Sequence, residues 1–370
     1  MAGYTLDVYK GKKVLVTGNT GFKGSWLSVW LAELGAKVIG YSLSPPTEPN
    51  MFEATGLGNK NMNIVGDVRD EDHLLSTFKE HKPEFVFHLA AQPIVRRSYK
   101  EPRLTYETNV MGTVNLLEAV RKTKCAMVVV AITSDKCYEN KESLHGCREI
   151  DPLGGDDPYS SSKGCAELVV SAYRASFFYS GSDSQRVALA SGRAGNVIGG
   201  GDWGEDRLVP DCVRAISAGK EIVIRNPASI RPWQYILEPL GGYLLLGAKM
   251  YENERYVGAW NFGPSENDVV SVEEVVKRII SYWGNGKYRV ESSANEPHEA
   301  RSLRLDCSKA HAALGWKPTY TINEALVETV AWYKEFYKKR GTNELYDYTV
   351  KQIMKYLAKS GLRADFPKAS

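Results

Sequence analysis

Short unbroken apolar runs alternate along the chain with longer stretches in which apolar residues recur every three or four positions. The run at 14–16 has the length and composition of a strand buried on both faces. Trp26, Leu27, Trp30, Leu31 and Leu34 follow it at helical spacing. Further runs predict strands at 38–41, 63–65, 85–89, 126–132 and 186–191. Helical spacing predicts helices over 71–78, 103–122, 159–177, 240–250, 272–282, 322–337 and 347–357. The 126–132 run is continuous and β-branched, which suits a central strand. Asn109 is a polar residue inside an amphipathic helix, and it needs a partner. The glycine-rich stretch 192–201 is expected to leave the sheet.

Between the first strand and the first helix stand Gly18, Gly21 and Gly24. Strand, glycine turn and helix is the setting in which backbone N–H groups can approach a pyrophosphate. Phe22 and Lys23 belong to the same turn. The pattern predicts an α/β chain with a Rossmann-type doubly wound parallel sheet over 1–195. A smaller mixed α/β substrate-binding lobe is expected over 196–370, with segments around 230–262 returning to the first domain. The tip of the second strand, Tyr41-Ser42-Leu43-Ser44-Pro45, carries no acid for an adenosine ribose and no arginine for a 2′-phosphate. NAD and NADP therefore stay open at this point. After the third strand, Asp67 is a candidate acceptor for an adenine amino group, Val68 for packing on the ring, and Asp70 for a helix cap. Ala90 and Ala91, after the fourth strand, are small enough to let a cofactor lie against the backbone. His88 reads as a packing residue.

The fifth strand runs into Thr133-Ser134-Asp135-Lys136-Cys137-Tyr138. Ligands of open parallel sheets sit at the carboxyl ends of strands, so a hydroxyl, a carboxyl and an amine there form an acid–base set. Asp157-Pro158-Tyr159 opens the next helix, with Asp157 as cap and Pro158 in the first turn. Tyr159 and Lys163 project from one face, where a lysine favours the phenolate and a phenolate can take a hydroxyl proton. Tyr9 and Lys13 repeat this spacing but precede the first strand, outside the order glycine loop, Ser-Asp-Lys, Tyr-Lys. Arg207, Arg231 and Arg301 lie in loop-like sequence and suit a diphosphate. Arg231 stands beside Trp233 and Tyr235, aromatics able to stack on a base.

Composition narrows the classes. Across 370 residues, 47 basic and 44 acidic side chains give a net charge of +3, which makes no case for nucleic acid or a membrane surface. No apolar run approaches membrane-spanning length, and the first residues lack the apolar core of a signal peptide. The six cysteines are scattered with no CxxC pair, which argues against a disulfide framework or a metal site and for a reducing cytoplasm.

With these motifs in place, the chain resembles the extended short-chain dehydrogenase/reductases. Within them it is similar to the nucleotide-sugar 4,6-dehydratases, nearest to the branch acting on CDP-glucose. The resemblance runs from about residue 11 to about 339. It rests on Phe22-Lys23-Gly24-Ser25-Trp26-Leu27, on Asp135-Lys136 where dTDP-glucose enzymes carry Asp-Glu, and on the stretches Gly192-Arg193-Ala194-Gly195-Asn196 and Arg231-Pro232-Trp233-Gln234-Tyr235. It implies a lyase that dehydrates CDP-D-glucose with a tightly held NAD, in deoxysugar biosynthesis for surface polysaccharide such as O-antigen. By the same resemblance Tyr159 takes the C4 hydroxyl proton, Lys163 holds the nicotinamide ribose, Ser134 bonds the C4 oxygen, and Asp135 and Lys136 are acid and base. Asn196, Arg207, Arg231, Tyr235 and Arg301 are expected at the substrate. A homodimer through a four-helix bundle, or a tetramer, is implied as well. A nucleotide-sugar 4-epimerase would share the glycine loop, Tyr159 and Lys163 without needing the acid–base pair. A cofactor-sensing protein without catalysis would need none of Ser134, Asp135 or Lys136.

Overall fold

The computed structural model describes residues 4–139, 145–178, 186–265, 270–291, 304–338 and 345–364. Seven parallel strands form one sheet: β1 (Lys13–Thr17), β2 (Lys37–Ser42), β3 (Met62–Val65), β4 (Phe85–His88), β5 (Val128–Ile132), β6 (Ala188–Ala194) and β7 (Gly258–Phe262). Their order across the sheet is β3-β2-β1-β4-β5-β6-β7. The order reverses between β1 and β4, which opens a crevice at their carboxyl ends. β5 is buried along its whole length, as its unbroken apolar run predicts.

Helices α1 (Phe22–Glu33), α2 (Glu71–His81), α3 (Gly112–Thr123), α4 (Pro158–Ser176) and α5 (Leu237–Glu252) flank the sheet. Two further helices, α6 (Ile322–Lys338) and α7 (Leu345–Ser360), pack on one another, and α7 also covers α1. Trp30 of α1 meets Tyr356 of α7 edge to face at 5.8 Å between ring centroids. Beside them the short strand Tyr4–Thr5 runs parallel to Leu362–Arg363.

Two expectations are corrected. Gly192, Arg193 and Ala194 do not leave the sheet: they extend β6, paired with Trp260, Asn261 and Phe262 of β7. Gly192 is there for close packing, since a Cβ would stand 2.7 Å from the Tyr243 ring. The run 103–122 is helical, but interrupted. Pro102–Tyr106 passes through a π turn, Glu107–Met111, before α3 begins. That turn carries Asn109 inward, where its amide donates to Ser162 Oγ of α4 at 2.9 Å and its oxygen accepts from the Gln92 backbone at 2.8 Å.

Candidate active site

The glycine loop closes at the head of β1. Gly18 has φ +74°, and a Cβ there would stand 2.8 Å from the Ala90 nitrogen. Thr17 ties the same two loops together, its Oγ1 accepting from the Leu89 and Ala90 N–H groups at 3.1 and 3.2 Å. Gly21 caps α1 with no side-chain bond, so the first-turn N–H groups have no capping oxygen. A glycine cradle with close backbone approach and an uncapped helix N-terminus fits the pyrophosphate of a dinucleotide. Phe22, Lys23, Ala90 and Ala91 are all half-buried around this loop. Gly24 packs backbone to backbone: a Cβ would lie 2.7 Å from the Gly18 carbonyl carbon and 2.8 Å from Asn19 Cα. No flexible side chain is there to yield, so Gly24→Ala is expected to cost about 3 kcal/mol. Gly219 is the control, with φ +67° and open space within 4 Å of the position a Cβ would take. Gly219→Ala should cost about 1 kcal/mol from backbone conformation alone. Urea denaturation of the two variants checks the order.

Asp70 caps α2, accepting from the His73 N–H at 3.0 Å. Asp67 is engaged by Arg69, whose Nε donates to its two oxygens at 3.1 and 2.9 Å, and that pairing draws its pKa down. An adenine amino group would share this carboxylate with the guanidinium. Val68 is buried against Gly112. His88 is buried between Thr17 and Thr113, and burial together with the Lys163 charge pushes its pKa down to about 3. It is a neutral packing residue.

The end of β5 turns sharply through Asp135–Cys137. Ser134 caps this turn: its Oγ accepts from the Lys136 N–H at 3.2 Å and donates to Asp135 Oδ1 at 2.9 Å. Asp135 is buried against the Gly195 backbone, and Lys136 is half-buried. Asp157 caps α4 through the Ser160 N–H at 2.9 Å, with Pro158 at its first position. The Tyr159 phenol lies beside Ser134, whose hydroxyl works to lower its pKa. The structure thus brings together Ser134, Asp135, Tyr159 and Lys163, each less than a tenth exposed.

Burial raises the Tyr159 phenol to about 12, against the pull of Ser134 and of the Arg207 charge. The leading cationic influence on the phenol is therefore Arg207, which is paired with the buried Asp202 at 2.8 Å. Sequence reasoning missed Asp202. Burial lowers Lys163 from 10.5 to about 8. The native state then binds fewer protons than the unfolded chain between these values, so stability rises with pH through that window. Below about 8 the full cost of the buried charge is present, on the order of 3 kcal/mol. Lys163→Met is expected to raise Tm near neutral pH, with a gain that fades as pH climbs past 8. Thermal melts across pH check this.

The remaining expected substrate residues are dispersed. Asn196 is half-buried just after β6. Arg231 lies on a two-stranded ribbon, paired with Val270. Tyr235 is corrected: it is a core residue, its ring stacked on Tyr320 at 5.4 Å and its hydroxyl donating to Gln352 at 3.2 Å. Arg301 lies outside the described residues. All six cysteines are free thiols, and no described helix is long and apolar enough to cross a membrane.

The family profile described as GDP-mannose 4,6 dehydratase matches residues 15–329. The chain belongs to this family. A member named CDP-glucose 4,6-dehydratase, from Salmonella typhimurium, is 52% identical over 330 residues, covering 89% of this chain and 92% of that one. Solved structures share the fold. An epimerase of Methanothermobacter thermautotrophicus superposes with a TM-score of 0.76 at 23% identity, covering 90% of this chain and 95% of its own. The dTDP-glucose 4,6-dehydratase of Bacillus anthracis, solved in complex with NAD, gives 0.73 at 24% identity, covering 89% and 98%.

Proposed function

We propose that this family member is a CDP-glucose 4,6-dehydratase, a hydro-lyase converting CDP-D-glucose to CDP-4-dehydro-6-deoxy-D-glucose and water. The observation that carries the reading is the buried cluster of Ser134, Asp135, Tyr159 and Lys163 at the crevice, in a chain 52% identical to the Salmonella enzyme of that name. The glycine cradle would hold NAD, whose chemistry would be to accept a hydride from C4 and to supply one for C6. Tyr159 removes the C4 hydroxyl proton, and Ser134 beside it bonds the C4 oxygen. Lys163 orients the cofactor's ribose. The C4 ketone acidifies the neighbouring C5–H. Lys136 takes that proton, Asp135 delivers one to the C6 hydroxyl so that water leaves, and C5 regains a proton as C6 receives the hydride. Arg207 and Arg231 meet the diphosphate, and Asn196 meets the sugar.

The assembly we propose is a homodimer. Tyr106 and Met111 are exposed around the π turn, as are Leu168 on α4 and Phe177 just past its end. These adjoining helices would bury that apolar surface as a four-helix bundle with a second copy. The setting is cytoplasmic, supplying a deoxysugar for surface polysaccharide such as O-antigen.

Purified protein incubated with CDP-glucose and no added cofactor should yield a product lighter by one water in mass spectrometry. In deuterated solvent the product should carry deuterium at C5, a position that a 4-epimerase leaves untouched. An unchanged mass would end the proposal.

A further inference from the structure

One buried carboxylate fastens both ends of the turn that carries Ser134, Asp135 and Lys136. Glu167 lies on α4, one helical turn beyond Lys163 and two beyond Tyr159. It accepts from Thr133 Oγ1 at 2.5 Å, from Ser191 Oγ at 2.8 Å and from Arg193 Nη2 at 2.6 Å. Arg193 also donates through Nη1 to the Tyr138 hydroxyl at 2.7 Å, and its guanidinium lies 4.8 Å over that ring. The Tyr138 hydroxyl in turn donates to Asn261 Oδ1 of β7 at 2.7 Å. Thr133 immediately precedes Ser134, and Tyr138 immediately follows Cys137. The acid–base turn is therefore anchored upstream by Thr133 and downstream by Tyr138, through one ion pair, to the helix that bears Tyr159 and Lys163.

We propose that Arg193 and Tyr138 are positioning residues that hold Asp135 and Lys136 in register with Tyr159, so that elimination depends on them more than oxidation at C4. This rests on the dehydratase reading above. Every member of the network is less than a tenth exposed, and Arg193 Nε is left without a partner. A buried ion pair with an orphaned donor is a poor device for stability alone, because desolvation offsets much of its attraction. It is a good device for fixing geometry, where an error of about 1 Å can cost on the order of a hundredfold in rate. The two anchors also differ in what they hold. Thr133 sits next to Ser134, which serves C4. Tyr138 sits beyond Asp135 and Lys136, which serve C5 and C6. Losing the downstream anchor loosens the elimination pair while Ser134 stays tied to Glu167 through Thr133.

The test is Tyr138→Phe, which keeps the ring and deletes the bridging hydroxyl. Water loss from CDP-glucose is followed by mass spectrometry. The 4-keto sugar is trapped separately with borodeuteride, which adds one deuterium at C4. The expected result is elimination slowed by about ten- to a hundredfold, with 4-keto trapping and KM close to wild type. Arg193→Lys keeps a charge beside Glu167 but shortens the reach to Tyr138. It carries the same expectation and serves if Tyr138→Phe does not fold. Equal loss of trapping and elimination, or no loss of either, overturns the positioning role. A wild-type enzyme that removes no water from CDP-glucose instead overturns the dehydratase reading.

Discussion

Tyr159→Phe is expected to lower turnover of CDP-glucose by ~10²–10⁴-fold while leaving the fold intact. The phenol is buried beside Ser134, and in the proposed reaction it is the proton acceptor of the first chemical step, which phenylalanine cannot replace. Burial holds this phenol at about 12, and the nearby Arg207 charge works in the opposite direction. In the proposed reaction a bound cationic cofactor would act in the same direction as Arg207. Both half-reactions follow from C4 oxidation, so both should fall together. Initial rates with CDP-glucose, with circular dichroism to verify folding, check this. Activity above a tenth of wild type would contradict the assignment.

The second large effect is selective. Lys136→Met should stop water loss while 4-keto trapping continues near the wild-type rate. Lys136 sits one residue beyond Asp135 on the turn capped by Ser134, and it makes no ion pair among the described residues. A lysine held by a carboxylate would have to give up that partner before accepting a C5 proton. This one does not. Methionine keeps the length and removes the amine, which separates loss of the base from loss of packing. The loss in elimination is expected at ~10²–10⁴-fold, the range of general base catalysis. Parallel loss of trapping would place Lys136 outside the elimination step.

The parts of this site that were legible in the sequence are those encoded by local chain geometry. The glycine turn, the Asp157 cap, the four-residue step from Tyr159 to Lys163 and the unpaired Asn109 each need only a few neighbouring residues to be read. Contacts between distant segments were not legible. Gly192 looks like a hinge in isolation, yet it is a strand residue because Trp260 pairs with it and the Tyr243 ring lies on it. Tyr235 looks like a stacking platform beside Arg231, yet its short strand pairs with 197–198 and lies buried, which sets its ring in the core against Tyr320. Glu167 gave one faint signal, an acid on the same helical face as Tyr159 and Lys163. Its partners come from elsewhere in the sheet, Thr133 from just past the end of β5 and Ser191 and Arg193 from β6.

The cover that α7 places over α1 has a consequence for biogenesis. The apolar face around Trp30 emerges early from the ribosome, but the Tyr356 ring that shields it is made more than three hundred residues later. Leu6 likewise waits for Arg363, whose carbonyl accepts its N–H at 2.8 Å. Until α7 is made, the nascent chain thus carries a sticky tryptophan-rich helix, and holdase chaperones have an obvious target there. Synthesis of α7, rather than completion of the sheet, is the event that covers α1.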